Sequence, residues 1–351
     1  MTLVQNRFGT QNMYEIEDIC YPIYCESAAC LSVYTDFLSW LSKNIDKDVC
    51  TLDTKKAKSM IILGCHVTDL AILNDIRIAE RLKEENPVAD IYMSGCLAQR
   101  FDIDLPAFIK RLNVVRVLNQ PILEEARNLT VYAKPFWVDE IDEKNEYAQG
   151  NLFRQSYWLK IGAGCHGKCK YCTIRDTRGK GFEAIPAEQI NEFLQHENVV
   201  IVSDSPTVSQ VKEWCLIALE HNKEISIRNI EPQTANACRD ELMAISQNGL
   251  LKNFHCPIQS MEEQILGAMN RSVYQTQRAI ELMQEMRRYG TKVATNIIID
   301  YVIDGTNYKN MPIQELNRLF DYWSWNPYFD GNWDRKTAEQ RFKKYIIDKE
   351  F

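Results

Sequence analysis

Three cysteines, Cys165, Cys169 and Cys172, stand within eight residues in the run Gly162-Ala-Gly-Cys-His-Gly-Lys-Cys-Lys-Tyr-Cys172. The spacing C-x3-C-x2-C offers three thiolates from one tight loop, enough to hold three corners of a [4Fe–4S] cube and leave the fourth iron open to a substrate or cofactor. A zinc knuckle is the competing use of such thiols, but no fourth Cys or His follows at ribbon or finger spacing. His166 lies too close to Cys165 to share a tetrahedral site with it.

The rest of the chain bounds the setting. Its 351 residues are enough for two domains. Apolar residues make up 45% and charged residues 25%, as in ordinary globular proteins. No apolar run approaches the roughly 20 residues that span a bilayer, so no membrane association is expected. The segment Met1-Thr-Leu-Val-Gln-Asn-Arg-Phe lacks a signal-peptide pattern. Twelve cysteines beside an oxygen-sensitive motif point to a reducing cytoplasm, with disulfides the less expected use of the thiols. A net charge of −7 disfavours broad nucleic-acid binding, which needs clustered cations. Basic residues gather only at Arg175 to Lys180 and at Arg335 to Lys344, the second reading as the solvated face of a terminal helix.

Periodicity gives the organisation. Helix is expected over residues 31–43, strand at Lys58–Leu63, helix at Asp69–Glu84 and strand at Ala89–Met93. A third alternation follows, with helix near Leu105–Leu112 and strand at Val114–Leu118. Such repetition predicts a parallel α/β sheet. Asp139 to Gly150 is a charged linker. Strands then recur near residues 156–162, 198–203, 225–230, 253–258 and 293–300. Helices Pro186–His196, Val208–Leu219 and Thr276–Tyr289 lie among them. This β/α succession suits an open, partial barrel, whose site collects at the C-terminal strand ends. The cysteine loop begins where the first of these strands ends. Apolar residues there (Tyr157, Trp158, Leu159, Ile161) would shelter a cluster.

Cys65 and Cys96 each follow a predicted strand and a glycine, and parallel pairing would bring them together. Cys30 lies 35 residues before Cys65, and Cys96 lies 31 after it. The three thiols are candidates for a second cluster, or are buried structural cysteines.

The cysteine spacing, with Tyr171 just before its last member, resembles that of radical S-adenosylmethionine enzymes. Ile62-Leu-Gly-Cys65-His-Val-Thr and Ser94-Gly-Cys96-Leu-Ala-Gln-Arg100 resemble the N-terminal domain of the methylthiotransferases in that superfamily. So do Cys172-Thr-Ile-Arg-Asp-Thr-Arg178-Gly179, Cys256-Pro-Ile-Gln259-Ser260, Met269-Asn270-Arg271 and Thr295-Asn-Ile-Ile-Ile-Asp300. The resemblance runs from about Cys30 to Asp300. It implies an N-terminal parallel-sheet α/β domain (residues 1–140), a linker (141–150), a partial (β/α)6 radical SAM barrel (151–335) and a C-terminal helix (336–351).

The resemblance also implies two [4Fe–4S] clusters. The first, on Cys165, Cys169 and Cys172, chelates the methionine group of S-adenosylmethionine and, when reduced, yields a 5′-deoxyadenosyl radical. The auxiliary cluster, on Cys30, Cys65 and Cys96, holds sulfur that one S-adenosylmethionine methylates. The radical from a second molecule opens an unactivated C–H bond, and its carbon collects the methylthio group. Cys20 and Cys25 rival Cys30 as first auxiliary ligand. Cys50, Cys215, Cys238 and Cys256 read as structural. Tyr171, Asp204, Ser205, Glu231, Gln259 and Ser260 are candidates for holding S-adenosylmethionine, though strand-end residues of these types also serve as caps and turns. Arg178 is either functional or a surface arginine.

The family's Gly-Phe-Pro-Gly-Glu-Thr is replaced here by Tyr301-Val-Ile-Asp-Gly305-Thr306, and the Ser-Arg expected after Arg178-Gly179 by Glu183-Ala184. The family's C-terminal TRAM β-barrel is not expected in the fifty residues after Asp300. Trp323-Ser-Trp325-Asn-Pro reads as a closing segment and Lys336–Asp348 as a charged helix. These departures favour a peptide, such as one of ribosomal origin, or a small natural product as substrate over tRNA. A flavodoxin or ferredoxin is the expected electron donor. A noncatalytic iron–sulfur carrier is the alternative of another class.

Overall fold

The structure is a computed structural model that describes residues 1–6, 9–27, 50–113, 130–132, 157–179, 189–197, 199–308 and 312–348. The expected helix at 31–43, the strand at Val114–Leu118 and the linker at 139–150 lie outside these residues. The chain divides into two units: Met1–Trp137 with Asp176–Arg178 and Gly331–Glu350, and Val138–Arg175 with Gly179–Asp330 and Phe351.

In the first unit, β1 (Thr2–Asn6) and β2 (Gly9–Met13) form an antiparallel ribbon. β3 (Ile23–Ser27), β4 (Ser59–Gly64), β5 (Asp90–Ser94), β6 (Ile109–Arg111) and β7 (Thr130–Tyr132) form a parallel sheet in the order β6-β5-β4-β3-β7. The apolar runs behind β4 and β5 are explained by burial, since Ile61, Ile62, Ile91 and Met93 are all inaccessible. α1 (Asp69–Glu85) starts where Thr68 accepts a hydrogen bond from the Ala71 amide and buries Leu70, Leu73, Ile76, Ala79 and Leu82. α2 (Gly95–Ala98) follows β5 directly.

The third alternation differs from expectation. Residues 109–111 are a strand, not the end of a helix near Leu105–Leu112. Buried Arg111 there donates to the carbonyls of Leu97, Ala98 and Ile103. A short strand with one inward cation carries too little periodicity to be told from a helix turn.

The second unit holds six parallel strands in the order β15-β12-β11-β10-β9-β8. They are β8 (Tyr157–Gly162), β9 (Val199–Ser203), β10 (Ile225–Arg228), β11 (Leu251–His255), β12 (Lys292–Ile299) and β15 (Tyr322–Pro327). Between β12 and β15 lies a hairpin of β13 (Tyr301–Ile303) and β14 (Thr306–Tyr308). α4 (Gln189–Gln195), α5 (Val208–Glu220), α6 (Pro232–Ala237), α7 (Arg239–Gln247), α8 (Glu263–Ala268), α9 (Val273–Arg287) and α10 (Ile313–Leu319) complete the succession, while α3 (Ile174–Arg178) is divided, its last three residues belonging to the first unit. Thr207 and Gln210 close a capping box on α5. The segment at Trp323 is a correction: it is the sixth strand, not a closing segment. Trp323 and Trp325 are buried while Ser324 and Asn326 are half-exposed, the period-two signature of a strand.

The chain returns to the first unit through α11 (Arg335–Phe342). Its basic face is docked, not simply solvated: Arg341 meets Asp69 at 2.8 Å, Arg335 meets Glu80 at 2.7 Å, and Arg77 lies over the Phe342 ring.

Candidate functional site

The cysteine loop leaves the C-terminal end of β8. Gly164 has φ of 83°, a left-handed turn that favours glycine, and its amide donates to the Asp204 carboxylate at 2.9 Å. Asp204 follows β9, so it fastens the loop's entry to the neighbouring strand end. Within the loop the Gly167 amide donates to Cys165 Sγ at 3.2 Å, and a Cβ on Gly167 would stand only 3.1 Å from that sulfur. The Cys172 amide donates to the Cys169 carbonyl at 3.2 Å. Burial, with Cys169 and Cys165 nearby, pushes the Cys172 thiol up to about 12.

Met269-Asn270-Arg271 grips the loop. The Met269 carbonyl accepts from the Lys170 amide at 3.2 Å, and the Asn270 side chain donates to the Lys168 carbonyl at 3.1 Å. Arg271 Nη1 reaches Cys169 Sγ at 3.7 Å and Tyr171 Oη at 3.1 Å. Its Nη2 reaches the Pro257 carbonyl and Glu231 Oε2, each at 2.7 Å. The Tyr171 ring packs with Ile265, Met269, Ile298 and Tyr301, and burial raises its hydroxyl pKa well above the ordinary value.

The other candidates collect at the same strand ends. Glu231 stands at the N-cap position of α6 just past β10, its carboxylate turned to Arg271 rather than to the helix amides. The Ser205 amide turns back onto Ser203 Oγ. Gln259 has φ of 69° and bridges to Ile297 of β12, while buried Ser260 accepts from the Glu262 amide. Asp204, Glu231 and Ser260 therefore have structural engagements as well as access to a strand-end site. Arg271 is a site residue that sequence reading misses, because the loop groups it touches, Cys169 and Tyr171, lie 102 and 100 positions away along the chain.

In the first unit, Gly64 at the end of β4 bridges to Gly95 just past β5, and Cys65 and Cys96 are the next residues of the two segments. The Cys65 amide donates to Asp75 Oδ2 at 2.6 Å, and Arg178 Nε donates to Cys96 Sγ at 3.1 Å. Arg178 is buried, which removes the surface reading. His66 stands between Thr177 Oγ1 at 3.2 Å and Arg100 at 3.4 Å, and Arg100 makes a two-pronged pair with Asp102. Cys30 lies outside the described residues. It follows β3, the sheet neighbour of β4, by three residues. Of its rivals, Cys25 is buried within β3, and Cys20 precedes that strand, its amide donating to Ser59 Oγ at the start of β4.

Among the described residues no three His, Cys, Asp or Glu side chains are gathered so as to hold a metal ion as they stand. The donor set of the loop nonetheless fits an iron–sulfur cluster: three soft thiols on one short segment, none in a disulfide, around a glycine where a Cβ would crowd the Cys165 sulfur.

Residues 159–312 match the model of the Radical SAM superfamily. The matched segment runs from β8 through β14 and contains the loop. The chain is similar to the tRNA-2-methylthio-N(6)-dimethylallyladenosine synthase of Bifidobacterium adolescentis, 22% identical over 279 residues, covering 67% of this chain and 56% of that protein. It is also similar to the ribosomal protein uS12 methylthiotransferase RimO of Desulforamulus reducens, 25% identical over 286 residues, covering 72% and 62%. It thus spans less than two thirds of the length of these relatives. Among solved structures, the radical S-adenosylmethionine methyltransferase TsrM of Kitasatospora setae aligns at TM-score 0.46 and 8% identity, over 79% of this chain and 67% of that one. The chain is thus similar to radical SAM methylthiotransferases, and its barrel-side segment matches the superfamily model. The match to the Radical SAM superfamily model brings with it a [4Fe–4S] cluster and S-adenosylmethionine as the cofactors of that superfamily.

Proposed function

We propose that the protein inserts sulfur, as a methylthio group or as bare sulfur, at an unactivated C–H carbon, using two [4Fe–4S] clusters. The observation that supports this reading is the bridge between Gly64 and Gly95, the residues just before Cys65 and Cys96, in a chain whose residues 159–312 match the Radical SAM superfamily. When bound, the cluster and S-adenosylmethionine supply the 5′-deoxyadenosyl radical. Cys165, Cys169 and Cys172 would hold the first cluster, with Asp204 and the Met269–Arg271 turn orienting their loop. Cys30, Cys65 and Cys96 would hold the second, with Arg178 directed at the Cys96 sulfur. Tyr171, Glu231, Gln259, Ser205 and Ser260 offer a ring, a carboxylate, an amide and hydroxyls for S-adenosylmethionine.

The substrate reading is a peptide or small natural product. It is supported by the acidic net charge and by the hairpin at Tyr301–Tyr308, formed where the family's Gly-Phe-Pro-Gly-Glu-Thr would stand. Modification of tRNA is the second reading, favoured by the similarity to synthases that act on it. No described helix is long and apolar enough to cross a membrane, consistent with a cytoplasmic enzyme fed by a flavodoxin or ferredoxin.

The test is an iron and sulfide count on anaerobically reconstituted protein. About eight irons per chain in wild type, falling to about four in a Cys30/Cys65/Cys96→Ala variant, is the expected result. About four in both would defeat sulfur insertion. Salt-dependent binding of tRNA stem-loops would replace the peptide reading with the second one.

A further inference from the structure

We propose that Arg271 is a positioning residue for the cluster loop: one buried guanidinium fixes the Cys169 thiol, the Tyr171 hydroxyl and the Glu231 carboxylate in a single arrangement, and lends a hydrogen bond to the sulfur that would ligate iron. The inference deepens the radical SAM reading and rests on it.

Four acceptors from three chain segments meet at this side chain, which is only 4% exposed. Tyr171 and Cys169 come from the loop, Glu231 from the end of β10 and Pro257 from the end of β11. A planar fork with five donors can satisfy all four at once, whereas a lysine ammonium has three donors at one point. Burial of the cation is made tolerable by the Glu231 carboxylate and the Pro257 carbonyl. Residues 269 and 270 hold the loop backbone at Lys170 and Lys168, so three consecutive residues clamp it. A cationic N–H directed at a cluster sulfur stabilises the reduced, more negative state and so raises its potential, while Glu231 offsets part of that effect.

The test uses the full chain carrying Cys65→Ala and Cys96→Ala, so that the loop alone can load iron, with Arg271, Arg271→Gln or Arg271→Lys. The cluster potential is read by EPR-monitored titration, and amide exchange at residues 168–172 is read in the cluster-free proteins. In Arg271→Gln the potential should move to more negative values and the Lys170 and Cys172 amides should exchange faster. Arg271→Lys should restore part of the potential but not the slow exchange. A folded Arg271→Gln protein with unchanged potential and exchange would overturn the proposal. Where Arg271→Gln does not fold, Tyr171→Phe removes a single contact. Faster exchange at Cys172 in that variant supports the clamp, and unchanged exchange counts against it. If the parent protein loads no iron, the cluster reading fails, while the exchange result still decides the clamp.

Discussion

His255 shows how much one buried side chain constrains. It is 1% exposed, accepts the Asn229 amide at Nδ1 and faces Asn296 through Nε2, the arrangement of a neutral imidazole. Burial pushes its pKa down to about 3. An unfolded chain, with an ordinary value of about 6.5, binds the extra proton between those limits. Stability should therefore fall as pH drops below about 6.5 and continue to fall towards 3, a trend that denaturant midpoints measured across that range would show. A His255→Gln variant should lose one proton's worth of that slope. At the loop, Asp204→Ala should cost about 1–3 kcal/mol by taking the acceptor from the Gly164 amide, read as a lowered Tm. Residues of this kind divide by how local their signal is. The three loop cysteines were legible because their spacing is itself the signal. Arg271 and Arg178 stood inside quoted motifs, yet their partners, Cys169 and Cys96, are 102 and 82 positions away. No local pattern encodes such a pairing.

Among the elements, the hairpin at β13 and β14 turns through Asp304 and Gly305, with φ of 48° and 77°. Two central residues at positive φ make the turn type that matches strand twist, and Asp-Gly is a favoured pair for it. Nothing lies within 4 Å of a Cβ placed on Gly305, so a Gly305→Ala change meets no clash. It should still cost about 1 kcal/mol through backbone strain alone, and a restoring Gly305→Asn change should recover part of it in thermal melts. Trp325→Ala in β15 should cost about 3–5 kcal/mol, since the side chain is 2% exposed. Long periodic elements such as α1, β4 and β12 were legible to within a residue or two at most ends. The misses were short or unconventional. β15 was obscured by tryptophan, asparagine and proline, and α6 to α8 are runs of six to nine residues, too brief for the 3.6-residue period to stand out.

For the whole molecule, the two sheets expected from the alternation are both present and both parallel, because strand–helix–strand order leaves few other ways to bury apolar strands. The assignment of α11 to the first unit was not legible. Helical periodicity reports that a helix forms, whereas Arg341 on Asp69 and Arg77 on Phe342 join segments more than 260 residues apart. Removing residues 335–351 should strip the partner from Asp69, whose side chain is 5% exposed, and lower the melting temperature of the first unit while sparing the second. Hydrogen exchange mapped separately over β4 and β10 would show the difference. The first unit is thus discontinuous, with its last piece, Gly331–Glu350, translated after the whole barrel. On the ribosome the first unit's sheet must wait without its docked helix until α11 emerges. The barrel can finish folding first, and the thiols of Cys65 and Cys96 stay on an unfinished scaffold throughout synthesis.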